Sequence, residues 1–273
     1  MNSKLTKYAV FNDVYEKGNI AGVLIGFTIP NDSELIKMAK MAKMNNLPVL
    51  LYIQNDNDVF NVSFYNSQRK MNFCGHGVLA ASAFLMDNNH SSILHIQGHA
   101  YKVHKGHLMY YIEFDSEIKK DPRPDISHYL DRIFKNTISE WKNISVIDNG
   151  NKKLFAEVAK QIEYDRLHPN ENEIINLSKE FNVNGIYIYK KDSFGKDGLL
   201  LEARSFNPLS GKLEDRATGS AVISLMYYYR DKCNRIAVKQ GIKGDQCYLE
   251  SYLNANGKIM LGGKVLLERK NDK

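Results

Sequence analysis

Two segments of the chain, 142 residues apart, repeat one pattern, and this repeat limits the possible folds more than any other feature. The first, from Ser63, reads SFYNSQRKMNFCGHGVLAASAFL; the second, from Ser205, reads SFNPLSGKLEDRATGSAVISLMY, and they share five of 23 residues without a gap. In each, a strand pattern leads through a loop into a turn of small residues and then an apolar helix. Two copies of one unit predict two similar domains that face each other.

The length and the order of elements agree with two mixed domains. A chain of 273 residues favours about two domains. Many short strand patterns and four or five helix patterns exclude an all-α bundle. The charged stretch DSEIKKDPRPDI, residues 115–126, has two prolines and no periodicity, so it is predicted to be a linker. The predicted domains are residues 1–118 and 119–273.

Charge and hydropathy argue against nucleic-acid and membrane partners. The net charge of +6 comes from 37 basic and 31 acidic residues that are dispersed along the chain. No apolar run approaches the roughly 18 residues of a membrane span, and the N-terminal pattern is not that of a signal peptide. The three cysteines, an odd number without metal-type spacing, favour a reducing cytoplasm.

The repeated turn gives the chain a possible anion site in each half. The first turn of a helix leaves backbone N–H groups without intrahelical partners and carries partial positive charge. Glycines there, such as Gly77 and Gly219, allow close backbone approach. Two such N-termini would hold a carboxylate, with Cys74 and His76 on one wall and Glu214 and Asp215 on the other.

At these residues the chain resembles the PhzF-like phenazine-biosynthesis isomerases of the diaminopimelate epimerase superfamily. The resemblance rests on FCGHGVLAASAFL, on RSFNPLSGKLEDRATGSAV and on Gly18, Asn19, Ala21 and Val23 near the N-terminus, and it extends over essentially the whole chain. It implies an α/β (α+β) fold of two pseudo-symmetric domains, each with a mostly antiparallel curled sheet around a central helix. Because the C-terminal strand often returns to the first domain in such proteins, the boundary is not expected to be a single cut.

The resemblance also implies a function. Such proteins are cytoplasmic homodimers that need no cofactor and no metal, and they act in biosynthesis on a small carboxylate-bearing substrate in the cleft between domains. The implied catalytic residues are His76, Asp215 and Cys74. The implied substrate-binding residues are Asn19, Gly75, Gly77, Thr218, Gly219 and Ser220.

Two positions depart from the family pattern. The family's acid–base glutamate follows a segment like NLS, but here Asn46, Leu47 and Pro48 precede Val49, so valine takes the glutamate's place. Arg216 stands where the family usually has proline. The protein is therefore either an isomerase that moves protons with other groups, or a ligand-binding protein that has lost or redirected the chemistry.

The cysteines and histidines admit simpler interpretations. Cys74 is either a small buried apolar residue or a proton carrier, and a thiol at a helix N-terminus is expected to have a lowered pKa. A racemase with two thiols is not expected, because the second would fall at Ala217. Five histidines lie close together in the sequence without the company that a metal site requires: His90, His95, His99, His104 and His107.

Overall fold

The computed structural model describes residues 5–12, 18–107, 109–115, 117–135, 137–138, 140–158, 167–195 and 198–268. Its helices are α1 (Asp32–Met44), α2 (Gly75–Asp87), α3 (Ser127–Ile133), α4 (Glu171–Glu180) and α5 (Gly219–Tyr229). Its first nine strands are β1 (Thr6–Val10), β2 (Asn19–Gly26), β3 (Val49–Asp56), β4 (Val59–Tyr65), β5 (Lys70–Met71), β6 (Ile93–Ile96), β7 (His99–Lys105), β8 (Tyr110–Phe114) and β9 (Lys119–Pro122). The others are β10 (Trp141–Asp148), β11 (Lys153–Val158), β12 (Ile186–Gly195), β13 (Gly198–Asn207), β14 (Lys212–Asp215), β15 (Arg235–Gln240), β16 (Cys247–Leu253), β17 (Ile259–Gly263) and β18 (Val265–Leu267).

The chain divides into two units. Unit 1 comprises Met1–Phe114 and Met260–Lys273, and unit 2 comprises Asp115–Ile259. The last two strands complete the sheet of unit 1, since β18 pairs with β1 and β17 pairs with β8.

Unit 1 is a mostly antiparallel sheet that curls around α2. Its strand order is β18-β1-β2-β3-β4-β6-β7-β8-β17, in which β2–β3 and β4–β6 are the parallel pairs. The first parallel pair is joined through α1 and the second through α2. Helix α2 contacts strands on both sides of the curl, including β1, β2, β3 and β8. Nearly all of its length is buried, as expected for a helix that is apolar all round.

Unit 2 repeats this topology. Its strand order is β9-β10-β11-β12-β13-β15-β16, with β11–β12 and β13–β15 parallel. Helix α4 joins the first parallel pair and α5 joins the second. Helix α5 is buried along its length like α2, and it contacts β15 and β16. The fold predicted from the repeat and the resemblance is therefore confirmed, with α3 as an addition of unit 2.

The predicted linker starts at the boundary between the two units but is not irregular. Residues 119–122 form β9, which pairs antiparallel with β10, and a short 3-10 helix, Pro124–Ile126, follows. All four residues of β9 are exposed, so the strand lacks the apolar alternation by which a strand is recognised. A proline at the end of an edge strand removes no essential hydrogen bond, which explains why Pro122 is compatible with pairing.

Candidate functional site

Gly77 fixes how closely α2 approaches the sheet of unit 1. A Cβ atom at this position would lie 2.7 Å from Leu51 Cδ2 and 2.9 Å from Phe64 Cδ1. These distances are shorter than real Cβ contacts, so a side chain here would force Leu51 or Phe64 to shift, and glycine lets the first turn of α2 pack against β3 and β4 without that shift. Gly75 is the first residue of the helix, and the first helical hydrogen bond runs from the Val78 amide to the Cys74 carbonyl over 2.8 Å.

The structure brings Cys74 and His76 together at this first turn. Cys74 occupies the N-cap position of α2, and its Sγ lies 3.4 Å from His76 Nδ1 and 3.8 Å from Nε2. Cys74 is buried, with 9% of its surface exposed, whereas His76 is half-buried. An imidazole at this distance can take the proton of a thiol, which is the usual way in which a cysteine is activated.

Two other predicted positions of unit 1 can be placed. Asn19 is the buried first residue of β2 and pairs in register with Val10. Val49 is the buried first residue of β3. Leu50 and Tyr52 pack with the residues of α1, so alternation puts Val49 on the other face of β3 together with Leu51, the residue that contacts Gly77. Val49 thus faces the side of the sheet on which α2 lies.

Asp215 and Thr218 form the corresponding pair in unit 2. Asp215 ends β14, and its Oδ2 accepts a hydrogen bond from Thr218 Oγ1 over 2.8 Å. Thr218 is the N-cap residue of α5 and Gly219 is the first residue of the helix. Ser220 follows, and its Oγ accepts a hydrogen bond from Asn151 Nδ2 over 2.9 Å. The predicted site residues of unit 2 therefore lie together at the start of α5.

Gln240 holds this arrangement, and the sequence did not indicate it. Its Oε1 accepts hydrogen bonds from the Thr218 amide over 3.1 Å and from Tyr187 Oη over 3.0 Å. Its Nε2 donates to the Asp215 carbonyl over 2.7 Å and to Thr218 Oγ1 over 3.1 Å. The side chain is fully buried and uses both ends of its amide. The only signal in the sequence is a polar residue in phase with the inward-facing Ile236 and Val238 of the same strand.

A row of side chains crosses the sheet of unit 2 on the face that Gln240 contacts. Phe155, Tyr187, Ser205 and Asp215 are successive partners in the strand register. The rings of Phe155 and Tyr187 lie 5.4 Å apart, and burial raises the pKa of the Tyr187 hydroxyl far above its usual value. Tyr187 is therefore a neutral hydrogen-bond donor at physiological pH.

Lys153, in the first position of β11, is a second residue that the sequence did not indicate. Only 3% of its surface is exposed, and its Nζ donates a hydrogen bond to the Asn184 carbonyl. Burial lowers the pKa of this ammonium group to about 8, while the negative charge of Asp215 acts in the opposite direction. In the sequence Lys153 is one of several lysines beside a turn, and such residues are mostly exposed.

Glu214 is not part of this group, although it precedes Asp215. It forms two hydrogen bonds with Arg204, of 2.9 Å to Nε and 2.7 Å to Nη2. Its register partner Phe206 belongs to the core between the sheet and helices α3 and α4. Neighbouring residues of a strand point to opposite faces, so Glu214 and Asp215 have separate roles.

The remaining candidates are structural. Arg216 forms an exposed ion pair with Asp245 at 2.8 Å. Burial raises the pKa of the Cys233 thiol and raises that of Cys247 to about 12, so both are protonated at neutral pH. Within the described ranges, no group of three or more His, Cys, Asp or Glu side chains could hold a metal ion. No helix in those ranges has the length and apolarity needed to cross a bilayer.

Two repeated α/β units, each with a sheet curled around a buried central helix and polar side chains at its first turn, define the diaminopimelate epimerase-like fold. The family model of phenazine biosynthesis-like proteins matches residues 8–247. The chain belongs to this family.

Individual relatives agree with this assignment. An uncharacterized isomerase of Clostridium acetobutylicum is 27% identical in an alignment of 240 positions, and the alignment covers 81% of this chain and 78% of that protein. A predicted epimerase from Pseudomonas aeruginosa has a similar structure, with a TM-score of 0.77 at 18% identity over 98% of both chains. A PhzF-family protein from Bacillus anthracis gives a TM-score of 0.77 at 15% identity, over 97% of this chain and 96% of that one.

Proposed function

We propose that the protein is a cofactor-independent isomerase or epimerase of a small carboxylate-bearing metabolite. The observation that carries the proposal is the pair of matched half-sites: Cys74 and His76 at the first turn of α2, and Asp215 and Thr218 at the first turn of α5. The names of the relatives support it, since one is an isomerase and another a predicted epimerase.

The reaction is the removal of a proton from a carbon next to the carboxylate and the return of a proton to the same or a conjugated carbon. In unit 1, the imidazole of His76 and the thiol of Cys74 exchange protons with the substrate. In unit 2, the carboxylate of Asp215 is the second proton-transfer group. Because a proton is removed and a proton is returned, no electrons are gained or lost and no further reactant is needed.

The substrate is bound by the backbone of the first turns of α2 and α5 and by polar side chains near them. The amides of a first helical turn bind carboxylates because they combine free donors with the positive end of the dipole. The proposed binding residues are Asn19, Gly75, Gly77, Thr218, Gly219 and Ser220.

Val49 supports a second candidate, a ligand-binding protein without isomerase activity. In the proposed alignment with the family, an acid–base glutamate is replaced by this buried valine. General acid–base groups contribute about 10²–10⁴ in rate, so the loss of one lowers activity severely or redirects it. Val49 also removes a negative charge, which favours a more anionic or more apolar ligand.

Solvent deuterium exchange distinguishes the two candidates. The protein is incubated in D₂O with amino acids, cyclic carboxylates and a dihydro-hydroxyanthranilate, and the loss of each α-proton signal is followed by NMR. Exchange of one substrate by the protein supports the isomerase. Saturable binding of a carboxylate without exchange supports the binding protein, and neither binding nor exchange would contradict both.

Assembly and location are further parts of the proposal and rest on the family resemblance. The protein is expected to be a homodimer of the cytoplasm, with a biosynthetic role. Sedimentation equilibrium measures the mass in solution, and a dimer should give twice the chain mass of 31.2 kDa.

A further inference from the structure

Lys153 lies on the same face of β11 as the site residues of unit 2. Leu154, its neighbour, belongs to the core beside α3 and α4, so alternation turns Lys153 to the opposite face. Phe155 is two residues further along that face and contacts Tyr187, which donates to Gln240. Lys153 therefore shares the face of the sheet on which the side chains around Asp215 lie.

A chain of hydrogen bonds connects Lys153 to the first turn of α5. Its Nζ donates to the Asn184 carbonyl, and Asn184 Nδ2 donates to Asn151 Oδ1 over 2.6 Å. Asn151 Nδ2 then donates to Ser220 Oγ over 2.9 Å. At the other end of β11, Glu157 accepts a hydrogen bond from Tyr229, the last residue of α5. Strand and helix thus run in the same direction, with Lys153 at the end where α5 begins.

The surroundings of Lys153 contain unused hydrogen-bonding capacity. An ammonium group has three donors, and one hydrogen bond is described for Lys153, to Asn184. Ser205 lies between Tyr187 and Asp215 in the strand register and is fully buried. Among the described residues its Oγ has no hydrogen-bond partner. Buried polar groups are nearly always paired, so an unpaired hydroxyl on the same face of the sheet as a buried cation points to a polar ligand.

We propose that Lys153 is a substrate-binding residue of the half-site in unit 2, where its buried ammonium group adds positive charge at the first turn of α5 and binds the carboxylate of the substrate. The inference rests on the function proposed above and extends it. Asp215 alone would repel an anion, and Lys153 offsets that charge. A buried cation without a full set of partners is unfavourable, and a bound carboxylate removes part of this cost.

Near pH 8, the protonation state that matters for binding is that of the Lys153 ammonium group, and the charged and titratable groups around it determine its pKa. Asp215, at the end of β14, is the group whose charge raises its pKa. Tyr187 in β12 stays neutral in this range, and Glu157 lies four residues further along β11 beside Tyr229. From α5, Ser220 contributes a hydroxyl group. An anion bound beside the ammonium raises its pKa, so binding above pH 8 must be accompanied by proton uptake.

The test measures binding of 2-aminobenzoate, with the uncharged 2-aminobenzamide as the comparison ligand. Lys153→Met removes the charge and keeps an unbranched apolar side chain. Lys152→Met is the matched control, because Lys152 Nζ donates instead to the Phe181 carbonyl, at 3.3 Å. We expect Lys153→Met to lose about 10- to 100-fold in affinity for the benzoate, as for one charge-assisted hydrogen bond, and Lys152→Met to stay within about twofold of the parent. Affinity for the benzamide should not change.

Titration calorimetry of the parent protein in buffers of different ionisation enthalpy gives a readout that needs no variant. At pH 8.5, binding of 2-aminobenzoate should take up as much as about 0.8 proton per site, because that fraction of Lys153 is deprotonated before binding. Unchanged affinity of Lys153→Met, or binding without proton uptake, would overturn the inference while deuterium exchange by the parent still upheld the isomerase. A parent that neither binds nor exchanges any carboxylate would overturn both.

Discussion

Replacement of Gln240 by methionine tests whether one buried amide holds the start of α5 in place. The substitution keeps the length of the side chain and removes four hydrogen bonds, to Tyr187, to Asp215 and twice to Thr218. The Thr218 amide, the Asp215 carbonyl and the Tyr187 hydroxyl then lose a partner inside the protein.

The expected loss is about 3–5 kcal/mol in the free energy of unfolding. A net hydrogen bond contributes about 1 kcal/mol, so the loss of four bonds around a fully buried side chain gives about 4 kcal/mol, the middle of this range. Tyr187→Phe removes one of the four and should cost about 1 kcal/mol. Total stabilities are typically about 5–15 kcal/mol, so Gln240→Met should still fold.

The single tryptophan of the sequence makes the measurement specific to unit 2. Trp141 is half-buried, and its Nε1 donates to Asp131 Oδ1 over 2.8 Å. Its fluorescence in a urea titration reports the unfolding of the unit that contains Gln240. Gln246→Met is the control within the same unit, at a half-buried position, and should change stability by less than about 0.5 kcal/mol. A loss below about 1 kcal/mol for Gln240→Met would show that this amide does not hold the start of α5 in place.

Three further predictions follow from the half-site of unit 1 and from the cysteines. Cys74 should react with iodoacetamide faster than Cys233 and Cys247, because burial raises the pKa values of those two thiols. A small carboxylate should protect Cys74. Peptide mass mapping that finds all three cysteines equally slow would contradict this prediction. Val49→Glu should raise the rate of isomerisation of a dihydro-hydroxyanthranilate, followed by absorbance, by about 10²-fold or more. A parent protein that is as active as the variant would show that Val49 does not lower the activity. Gly77→Ala should destabilise unit 1 by about 1–3 kcal/mol, because the new methyl group meets side chains of β3 and β4; unchanged amide exchange of α2 would refute that.

The sequence predicts the elements whose pattern is local. The apolar runs behind Gly77 and Gly219 mark the two central helices, and the repeat between them predicts the shared topology. In α1, the capping is local as well, since Asn31 and Glu34, three residues apart, cap the helix reciprocally. The edge strand β9 was mistaken for a linker, because an exposed strand carries no periodic signal.

The candidate site was predicted only where it lies on the repeated turns. A short motif can reveal each of the two pairs, because Cys74 is close to His76 in sequence and Asp215 is close to Thr218. Gln240, Ser205 and Lys153 come to the same face of unit 2 through the pairing of strands that are distant in the chain. A shift of one residue in any of these registers would turn the side chains to the other face, and one sequence does not specify the register. Glu214 and Asp215 are a further example. Their side chains point to opposite faces of the sheet, and the register of β14 decides which of the two lies on which face.

The rate of deuterium incorporation in D₂O measures whether the two first turns exchange a substrate proton. The parent, His76→Asn and Asp215→Asn are compared on one substrate by mass spectrometry. We expect incorporation of one deuterium at the α-carbon by the parent, and a fall of about 10²-fold or more in each variant, since each removes one proton-transfer group. Incorporation at the parent rate in both variants would exclude proton transfer by either residue.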